Sequence, residues 1–184
     1  QLMKDMGFNM LRKHIKIEPM RWYYHCDRLG MLVWQDMVNG GGKMNQWYVT
    51  YLTNALLPLL RHTPDAKPLW GLLGRETEAS RESYQTELKA TVEALRCHPC
   101  IGCWVPFNEG WGQFDAKQIT RLVRKLDPTR LIDHVSGWHD QGFGDVRSLH
   151  VYFQKYRFQP DKLGRATLLS EFGGYIHRVE GHAV

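Results

Sequence analysis

Two glutamates stand directly after short apolar runs of the kind that buried strands show. Glu109 follows the run 101–107 by way of Asn108, and Glu171 follows the run 166–170. An acidic side chain at the carboxyl end of a buried parallel strand lies where barrel enzymes keep their chemistry. Two carboxylates that converge on one cavity are the minimum equipment for hydrolysis of a glycosidic bond. The alternative for either residue alone is an idle, solvated charge at a loop entrance.

Such a pair divides the work between its members. One carboxylic acid holds its proton near neutral pH, through burial or a neighbouring negative charge, and gives it to the leaving oxygen. The other attacks the anomeric carbon or activates a water molecule. A carboxyl separation of about 5–5.5 Å predicts retention of configuration, and about 6.5–9.5 Å predicts inversion. Because the fold sets this distance, the sequence leaves both outcomes open.

The residues around Glu109 favour a functional role for it over an idle surface charge. Gly110 and Gly112 end the apolar run and let the backbone approach a ligand closely. Trp111 lies between them, and its ring offers an apolar face. That face either stacks on substrate or wedges the loop in place.

The elements that must position these residues alternate along the chain. Helices are predicted at 20–29, at 81–96 with an N-cap at Ser80, and at 115–126. Strands are predicted at 8–15, 31–34, 101–107, 131–135, 148–153 and 166–170. This rhythm is typical of a parallel sheet built from βαβ units.

A polar residue follows nearly every predicted strand, which favours an α/β fold of the (β/α)₈ TIM-barrel type over other parallel sheets. These residues are His14, Asp36, Asn108 with Glu109, Ser136, Tyr152 and Glu171. The alternative is a doubly wound sheet, which usually carries a glycine-rich phosphate turn after its first strand. The segment 14–18, His-Ile-Lys-Ile-Glu, occupies that place instead.

One region interrupts the alternation. Residues 37–79 contain a glycine run at 40–42, aromatic and leucine residues at helical spacing within 43–63, and a proline-bounded break at 63–68. We interpret the region as an excursion above the barrel mouth. It forms part of the site wall or is a surface elaboration that only packs, and the sequence leaves both roles open.

The composition argues against several classes of partner. The chain has 184 residues and a net charge of +5, but its basic residues are scattered, which favours a solvated surface over a nucleic-acid partner. No apolar run is long enough to span a membrane. The chain opens with Gln1 inside a predicted helix that Gly7 ends, which is typical of a fragment, so the sequence assigns no compartment.

The cysteines do not form a convincing metal site. Cys97, Cys100 and Cys103 have C-x-x-C-x-x-C spacing, which is found in metal and iron–sulfur sites. They fall at the end of a helix, after a proline and inside a strand, so their sulfurs would point in different directions. We therefore expect free thiols, no metal and no cofactor.

Six segments resemble the catalytic barrel of glycoside hydrolase family 2, which includes β-galactosidases, β-glucuronidases and β-mannosidases. They include Pro-Phe-Asn-Glu-Gly-Trp-Gly-Gln at 106–113 and Ser-Glu-Phe-Gly-Gly at 170–174. The others are 7–14, 23–36, 98–101 and 127–130. All occur in family order across nearly the whole chain. Matched to the family, strands two to seven are present and the first and eighth are missing, so residues 1–184 are interpreted as an incomplete barrel from a longer parent with further domains.

The resemblance implies roles for individual residues. Glu109 matches the general acid/base and Glu171 the nucleophile of a retaining mechanism. Asn108 matches the residue that hydrogen-bonds the sugar 2-hydroxyl, Tyr152 a tyrosine that contacts the nucleophile, and Arg12 an arginine that supports it electrostatically. Further candidates for sugar contact, each with a purely structural alternative, are His14, Asp36, Trp111, Trp138 and His150.

The implied activity is hydrolysis of terminal β-glycosides, with a β-galactoside-like carbohydrate as the expected substrate. The segment 34–36 resembles β-mannosidases, whereas 107–113 resembles galactosidases, and β-glucuronidase specificity is a further alternative. A different class of function also stays open, namely a non-catalytic carbohydrate-binding barrel or an inactive fragment of a family 2 enzyme.

Overall fold

The structure is a computed structural model that describes residues 1–53, 63–152, 155–173 and 180–181. The helices are α1 (Leu2–Asp5), α2 (Met20–Leu29), α3 (Glu78–Leu95) and α4 (Ala116–Leu126). The strands are β1 (Met10–Lys13), β2 (Leu32–Asp36), β3 (Ile101–Val105), β4 (Phe107–Asn108), β5 (Leu131–Ile132), β6 (Val135–Ser136), β7 (Val146–Val151) and β8 (Ala166–Phe172). Within these residues no helix has both the length and the apolar character needed to cross a membrane.

The ladders between the strands of the described residues are all parallel, which confirms the predicted α/β class. One sheet has the order β1-β2-β3-β5, and two smaller sheets pair β4 with β6 and β7 with β8. β4 continues the path of β3, β6 continues that of β5, and β7 lies beside β6. The strands therefore form an arc from β1 to β8 that is not closed by a ladder among the described residues.

The predicted strand 101–107 is interrupted at Pro106, which has no N–H to give to the ladder. Its carbonyl instead accepts a hydrogen bond of 2.5 Å from the hydroxyl of Tyr84 on α3. The predicted strand 131–135 is also broken, because both backbone groups of Ile132 bond to Asp145 rather than to a strand. Each break lies near the carboxyl end of its predicted strand.

The bounds of the helices agree closely with the prediction except at the start of α3. α2 runs from Pro19 to Gly30, whose left-handed φ of 60° ends it as predicted. α3 begins at Glu78 rather than at residue 81, because the side chain of Thr77, not Ser80, is the N-cap and accepts the backbone N–H of Ser80. The helix therefore begins three residues before the position that the apolar stripe alone indicates.

The core lies between the strands and helices α2, α3 and α4. At its centre the ring of Tyr84 stacks on Phe107, with centroids 5.2 Å apart, and both rings meet the edge of Phe114. Burying each such ring stabilises the fold by roughly 1.5–3 kcal/mol. This packing fixes the end of β4, from which Asn108 and Glu109 project.

The predicted excursion 37–79 contains a π-helix, Trp47–Leu52, and a short 3₁₀-helix, Lys67–Leu69. The leucines at 56 and 57 that completed the predicted helical spacing lie outside the described residues. The excursion contacts the loop after β4, because Gly112 donates its N–H to Leu73 at 2.8 Å and accepts a bond of 3.1 Å from Nε of Arg75.

Candidate active site

The structure brings polar side chains from both ends of the arc together at the carboxyl ends of the strands. Arg12 lies on β1, Asp36 ends β2, and Asn108 ends β4 directly before Glu109. His150 lies on β7, Tyr152 follows it, and Glu171 lies on β8 rather than after it. The hydrogen bonds among these side chains make one continuous network.

Arg12 is the cation at the centre of this network. Its guanidinium makes two bonds of 3.0 Å to the carboxylate of Asp36, which is fully buried. It also donates to Oε1 of Glu171 at 2.6 Å and to Oδ1 of Asn108 at 2.9 Å. Burial alone lowers the pKa of Arg12, but Asp36 and Glu171 outweigh it and raise that pKa. The guanidinium is therefore a fixed positive charge that holds β1, β2 and β8 together.

Tyr152 joins the two glutamates. Its hydroxyl lies 2.7 Å from Oε1 of Glu109 and 2.5 Å from Oε2 of Glu171. Burial raises the pKa of Tyr152, and the two carboxylates raise it further, so the phenol keeps its proton. Because a phenol has one proton, Tyr152 can donate to only one of the glutamates at a time.

The loop after β4 holds Glu109 in a strained backbone conformation. Glu109 has a φ of 51°, in the left-handed region, and its N–H donates to the carbonyl of Ser136 at 2.9 Å. A non-glycine residue there costs roughly 1–2 kcal/mol. Gly110 follows with a φ of 77°, and a Cβ at Gly110 would lie 2.5 Å from the ring of His139. Strain of this kind is concentrated at functional sites.

A register shift between β7 and β8 turns two consecutive residues toward the same side. Leu149 pairs with Leu169, but His150 pairs with Glu171, so Ser170 is the extra residue of a β-bulge. In a regular strand Ser170 and Glu171 would point to opposite faces. With the bulge, Ser170 bonds into the interior while Glu171 reaches Arg12 and Tyr152.

Sequence reasoning noted Ser136 as a polar residue after a strand, but it missed the cluster of hydroxyls that Ser136 forms with Ser148 and Ser170. The Oγ of Ser136 lies 3.2 Å from that of Ser148 and 3.3 Å from that of Ser170, and Ser148 also bonds to Ser170. Ser136 continues the network to Nε2 of His150 at 2.9 Å. The available signal was a small polar residue at or next to the end of each of three predicted apolar strands.

Two predicted contact residues lie at the rim of the site. The side chain of His14 is 46% exposed, with Nδ1 3.5 Å from Asp36 and 3.7 Å from Glu171. Its hydrogen bond to Asp36 raises the pKa of His14, although burial opposes the shift. The ring of Trp111 meets that of His14 edge-on, with centroids 6.3 Å apart.

Trp138 and a residue that the sequence did not single out lie deeper. Trp138 is buried, and its indole N–H has no partner within the described part of the chain. The neighbouring His139 packs on Gly110 and stacks on Tyr48 of the excursion, with centroids 6.0 Å apart. Burial lowers the pKa of His139 to about 4, so its ring is neutral at physiological pH.

The two glutamates are close together. One carboxylate oxygen of Glu109, one of Glu171 and a ring nitrogen of His150 all lie within 4.8 Å of one another. Carboxylate oxygens this close are compatible with the shorter of the two glycosidase geometries, in which the carboxyl groups lie about 5–5.5 Å apart.

The same three ligand atoms could geometrically surround a metal ion, but their neighbours argue against one. The guanidinium of Arg12 lies 2.6 Å from Glu171 and 3.4 Å from Nε2 of His150. A divalent cation would be placed beside this positive charge. Hydrogen bonding to Arg12 and Tyr152 accounts for the arrangement without a metal.

Comparison with known proteins gives consistent matches. Residues 1–171 match the sequence pattern of the family described as "Glycosyl hydrolases family 2, TIM barrel domain". A β-galactosidase from Klebsiella pneumoniae is 26% identical over 160 residues, which are 86% of this chain and 13% of that protein. The chain thus spans about an eighth of the length of that relative.

Solved structures share the fold at lower sequence identity. A β-D-glucuronidase from Dictyoglomus thermophilum superposes with a TM-score of 0.62 at 18% identity, over 93% of this chain and 31% of that one. A β-galacturonidase from Eisenbergiella tayi, bound to galacturonate, superposes with a TM-score of 0.61 at 18% identity, over 100% of this chain and 32% of that one.

Proposed function

The chain belongs to glycosyl hydrolases family 2, as part of its TIM barrel domain, and from that premise we propose that it carries the catalytic centre of a retaining β-glycosidase. The observation that carries the proposal is the pair Glu109 and Glu171, whose oxygens approach within 4.8 Å and meet at Tyr152. Their spacing supports retention rather than inversion.

In the first step, Glu171 attacks the anomeric carbon while Glu109 gives its proton to the departing glycosidic oxygen. The C–O bond to the leaving group breaks, and an ester forms between the sugar and Glu171. Arg12, 2.6 Å from Glu171, supports this role because its N–H holds the attacking carboxylate in place.

In the second step, water attacks the anomeric carbon and Glu109 accepts the proton that the water loses. The ester bond breaks and Glu171 is restored as a carboxylate. Tyr152 supports both steps, because its single proton can bond to Glu171 while that residue is charged and to Glu109 once Glu171 is esterified. The donor thus follows the negative charge.

Asn108 is proposed to hold the sugar 2-hydroxyl. Its Oδ1 accepts a bond from Arg12, so the orientation of the amide is fixed with Nδ2 as the remaining donor. Within the described residues Nδ2 is buried and has no partner. A buried donor without a partner is costly, and a substrate hydroxyl would satisfy it.

We propose a β-galactoside-like substrate, in keeping with the named activity of the Klebsiella pneumoniae relative. The structural neighbours are named for glucuronic and galacturonic acid substrates, so a uronide is the alternative. At the rim, His14, Trp111 and Asp36 are proposed to shape the sugar site, with Asp36 acting through Arg12. Trp138 is buried and is proposed to support the loop.

A second candidate is a non-catalytic carbohydrate-binding barrel. It is favoured by the arc of strands, which no ladder closes within the described residues. The chain also spans only about an eighth of the β-galactosidase relative, so we propose that the complete protein carries further domains. Calorimetric binding of galactose without turnover by the complete protein would favour this candidate.

The test is the variant Glu171→Ala in the complete encoded protein, assayed on nitrophenyl β-glycosides. Loss of the nucleophile should lower kcat by about 10⁴- to 10⁶-fold. Azide should partly restore turnover, because a small anion fits the space left by the carboxylate and attacks the same carbon. Glu93→Ala, an exposed position on α3, is the matched control and should not change turnover. Full activity of Glu171→Ala would refute the assignment.

A further inference from the structure

We propose that His150 is a positioning residue that binds Oε1 of Glu109 and thereby keeps the catalytic proton on Oε2. The inference rests on the proposed function, since it concerns the acid of that reaction. Sequence analysis predicted sugar contact for His150, but its side chain is fully buried and both ring nitrogens already have protein partners, Glu109 and Ser136. It acts on the substrate only through Glu109.

The surroundings of Nε2 fix the tautomer of His150. This nitrogen lies 2.9 Å from the hydroxyl of Ser136, 3.4 Å from Nη1 of Arg12 and 3.6 Å from Oε1 of Glu171, the last beyond hydrogen-bond distance. A guanidinium only donates hydrogen bonds, whereas a hydroxyl can donate or accept. Nε2 is therefore the acceptor, with Ser136 as its main donor, and the ring N–H lies on Nδ1.

That proton is directed at one oxygen of the acid. Nδ1 lies 2.7 Å from Oε1 of Glu109, so the N–H donates to Oε1. Oε1 accepts from this fixed donor and also lies 2.7 Å from the hydroxyl of Tyr152, so it is the poorer site for a second proton. Among the described residues no hydrogen bond to Oε2 is found, so Oε2 is the oxygen left to carry the proton to the leaving group.

The arrangement also suits the second step of the reaction. Once Glu109 has given up its proton, Oε1 of the carboxylate accepts from Nδ1–H and, when Glu171 is esterified, from Tyr152. Oε2 is then free to take the proton of the attacking water. The ring of His150 neither gains nor loses a proton in either step.

A matched histidine–carboxylate pair elsewhere in the chain provides the control. Nδ1 of His98 lies 2.6 Å from Oδ2 of Asp27, at the amino end of β3 and away from the glutamates. Both pairs have the same chemistry and are largely buried, but only His150 contacts a proposed catalytic residue. A purely structural role would make the two substitutions equivalent.

The kinetic test compares His150→Leu, His150→Asn and His98→Asn on aryl β-glycosides with leaving groups of rising basicity. His150→Leu should lose little in kcat/KM, which reports only the first step, with dinitrophenol, which leaves without acid help. With a poor leaving group it should lose on the order of 10²- to 10⁴-fold in kcat/KM. His150→Asn should recover much of this loss, because its amide N–H can replace Nδ1–H. His98→Asn should show no dependence on the leaving group. An equal loss by His150→Leu with every leaving group would overturn the proposal.

A second measurement does not depend on activity or on the stability of a variant. Nitrogen NMR of the wild-type protein labelled at histidine should show His150 as the neutral Nδ1–H tautomer, assigned through loss of its signal in His150→Asn. A signal for Nε2–H, or for a doubly protonated ring at neutral pH, would overturn the proposal. Absence of glycosidase activity would instead refute the proposed function, and the NMR result would still decide the tautomer.

Discussion

The two ends of the strands both bury aspartates, but they satisfy them differently. At the amino end, the carboxylate of Asp127 accepts bonds from the indole of Trp104 at 2.9 Å, from Arg130 at 3.1 Å, and from the N–H and hydroxyl of Thr129. Burial raises the pKa of Asp127, but these bonds outweigh it and hold the pKa below its ordinary value. Every lone pair there is used within the chain.

At the carboxyl end, some buried polar groups have no hydrogen-bond partner among the described residues. The buried Nδ2 of Asn108 has no partner in the described part of the chain, and Glu109 and Glu171 share one tyrosine proton. Asp133, between β5 and β6, is fully buried, and neither of its oxygens accepts a bond of normal geometry from a described residue. Buried polar side chains therefore stabilise the fold where all their hydrogen bonds are made within the chain. Where some hydrogen bonds are left unmade, the same kinds of side chain can bind a ligand.

The largest difference is expected on removing the arginine from each end. Arg12→Met removes both guanidinium bonds from the buried carboxylate of Asp36 and leaves it only the N–H of Ile15 and the half-exposed ring of His14. It should lower the free energy of unfolding by about 3–5 kcal/mol. Arg130→Met leaves Asp127 held by Trp104 and Thr129, but it also removes the bonds that Arg130 donates to the carbonyls of Ile101 and His98. It should therefore cost about 2 kcal/mol. Urea denaturation at neutral pH measures both. Equal losses would remove the distinction between the two ends.

Adding one methyl group, by a glycine-to-alanine substitution at each end, should have a smaller effect that still differs between the two ends. Gly110→Ala adds a left-handed alanine, costing roughly 1–2 kcal/mol, and a clash with His139 that adds about 1–3 kcal/mol. Gly30→Ala, at a φ of 60° but with nothing within 4 Å of its Cβ, should show only the first cost. Thermal unfolding and turnover should be compared for both. Turnover that falls in Gly30→Ala, or survives in Gly110→Ala, would contradict the assignment of the site loop.

As pH falls, Asp133 and Asp127 should change the free energy of unfolding in opposite directions. The pKa of Asp127 is lowered, so its contribution is present above its unfolded pKa of about 3.9 and is lost as pH falls through the folded pKa. Burial raises the pKa of Asp133, so the folded state binds a proton more tightly and gains stability as pH falls through that raised pKa. Denaturation between pH 3 and 7 should show the gain disappear in Asp133→Asn and the loss diminish in Asp127→Asn. Profiles of one sign for both would contradict this.

The smallest effect is expected at His14, on the rim. The hydrogen bond to Asp36 raises its pKa, so more than half of the rings should be protonated at pH 6.5. The associated stability is present below the unfolded pKa and fades as pH rises through the folded pKa. Proton NMR titration of the ring gives the midpoint. A midpoint below that of a histidine peptide would show that Asp36 does not bond to His14.

The sequence predicted the ends of the strands better than their interiors. Glu109, Asp36 and Tyr152 stand out because each is polar directly after or late in an apolar run, and the structure places all three in one network. α2 was predicted with its bounds because Pro19 and Gly30 act through local backbone geometry.

What the sequence did not predict depends on long-range register. The bulge at Ser170 exists only because β8 pairs with β7, and nothing local marks it. The bond between Ser136 and His150 likewise joins neighbouring strands. Thr77 was missed as the N-cap because Ser80 is an equally good capping residue by type.

The most direct test of the central claim is the anomeric configuration of the first sugar released by the complete encoded protein. Proton NMR can follow hydrolysis of an aryl β-glycoside before mutarotation mixes the anomers. Because an oxygen of Glu109 lies within 4.8 Å of one of Glu171, the account predicts that the β-anomer appears first. Initial release of the α-anomer would mean inversion and would contradict the assignment of Glu171 as the nucleophile.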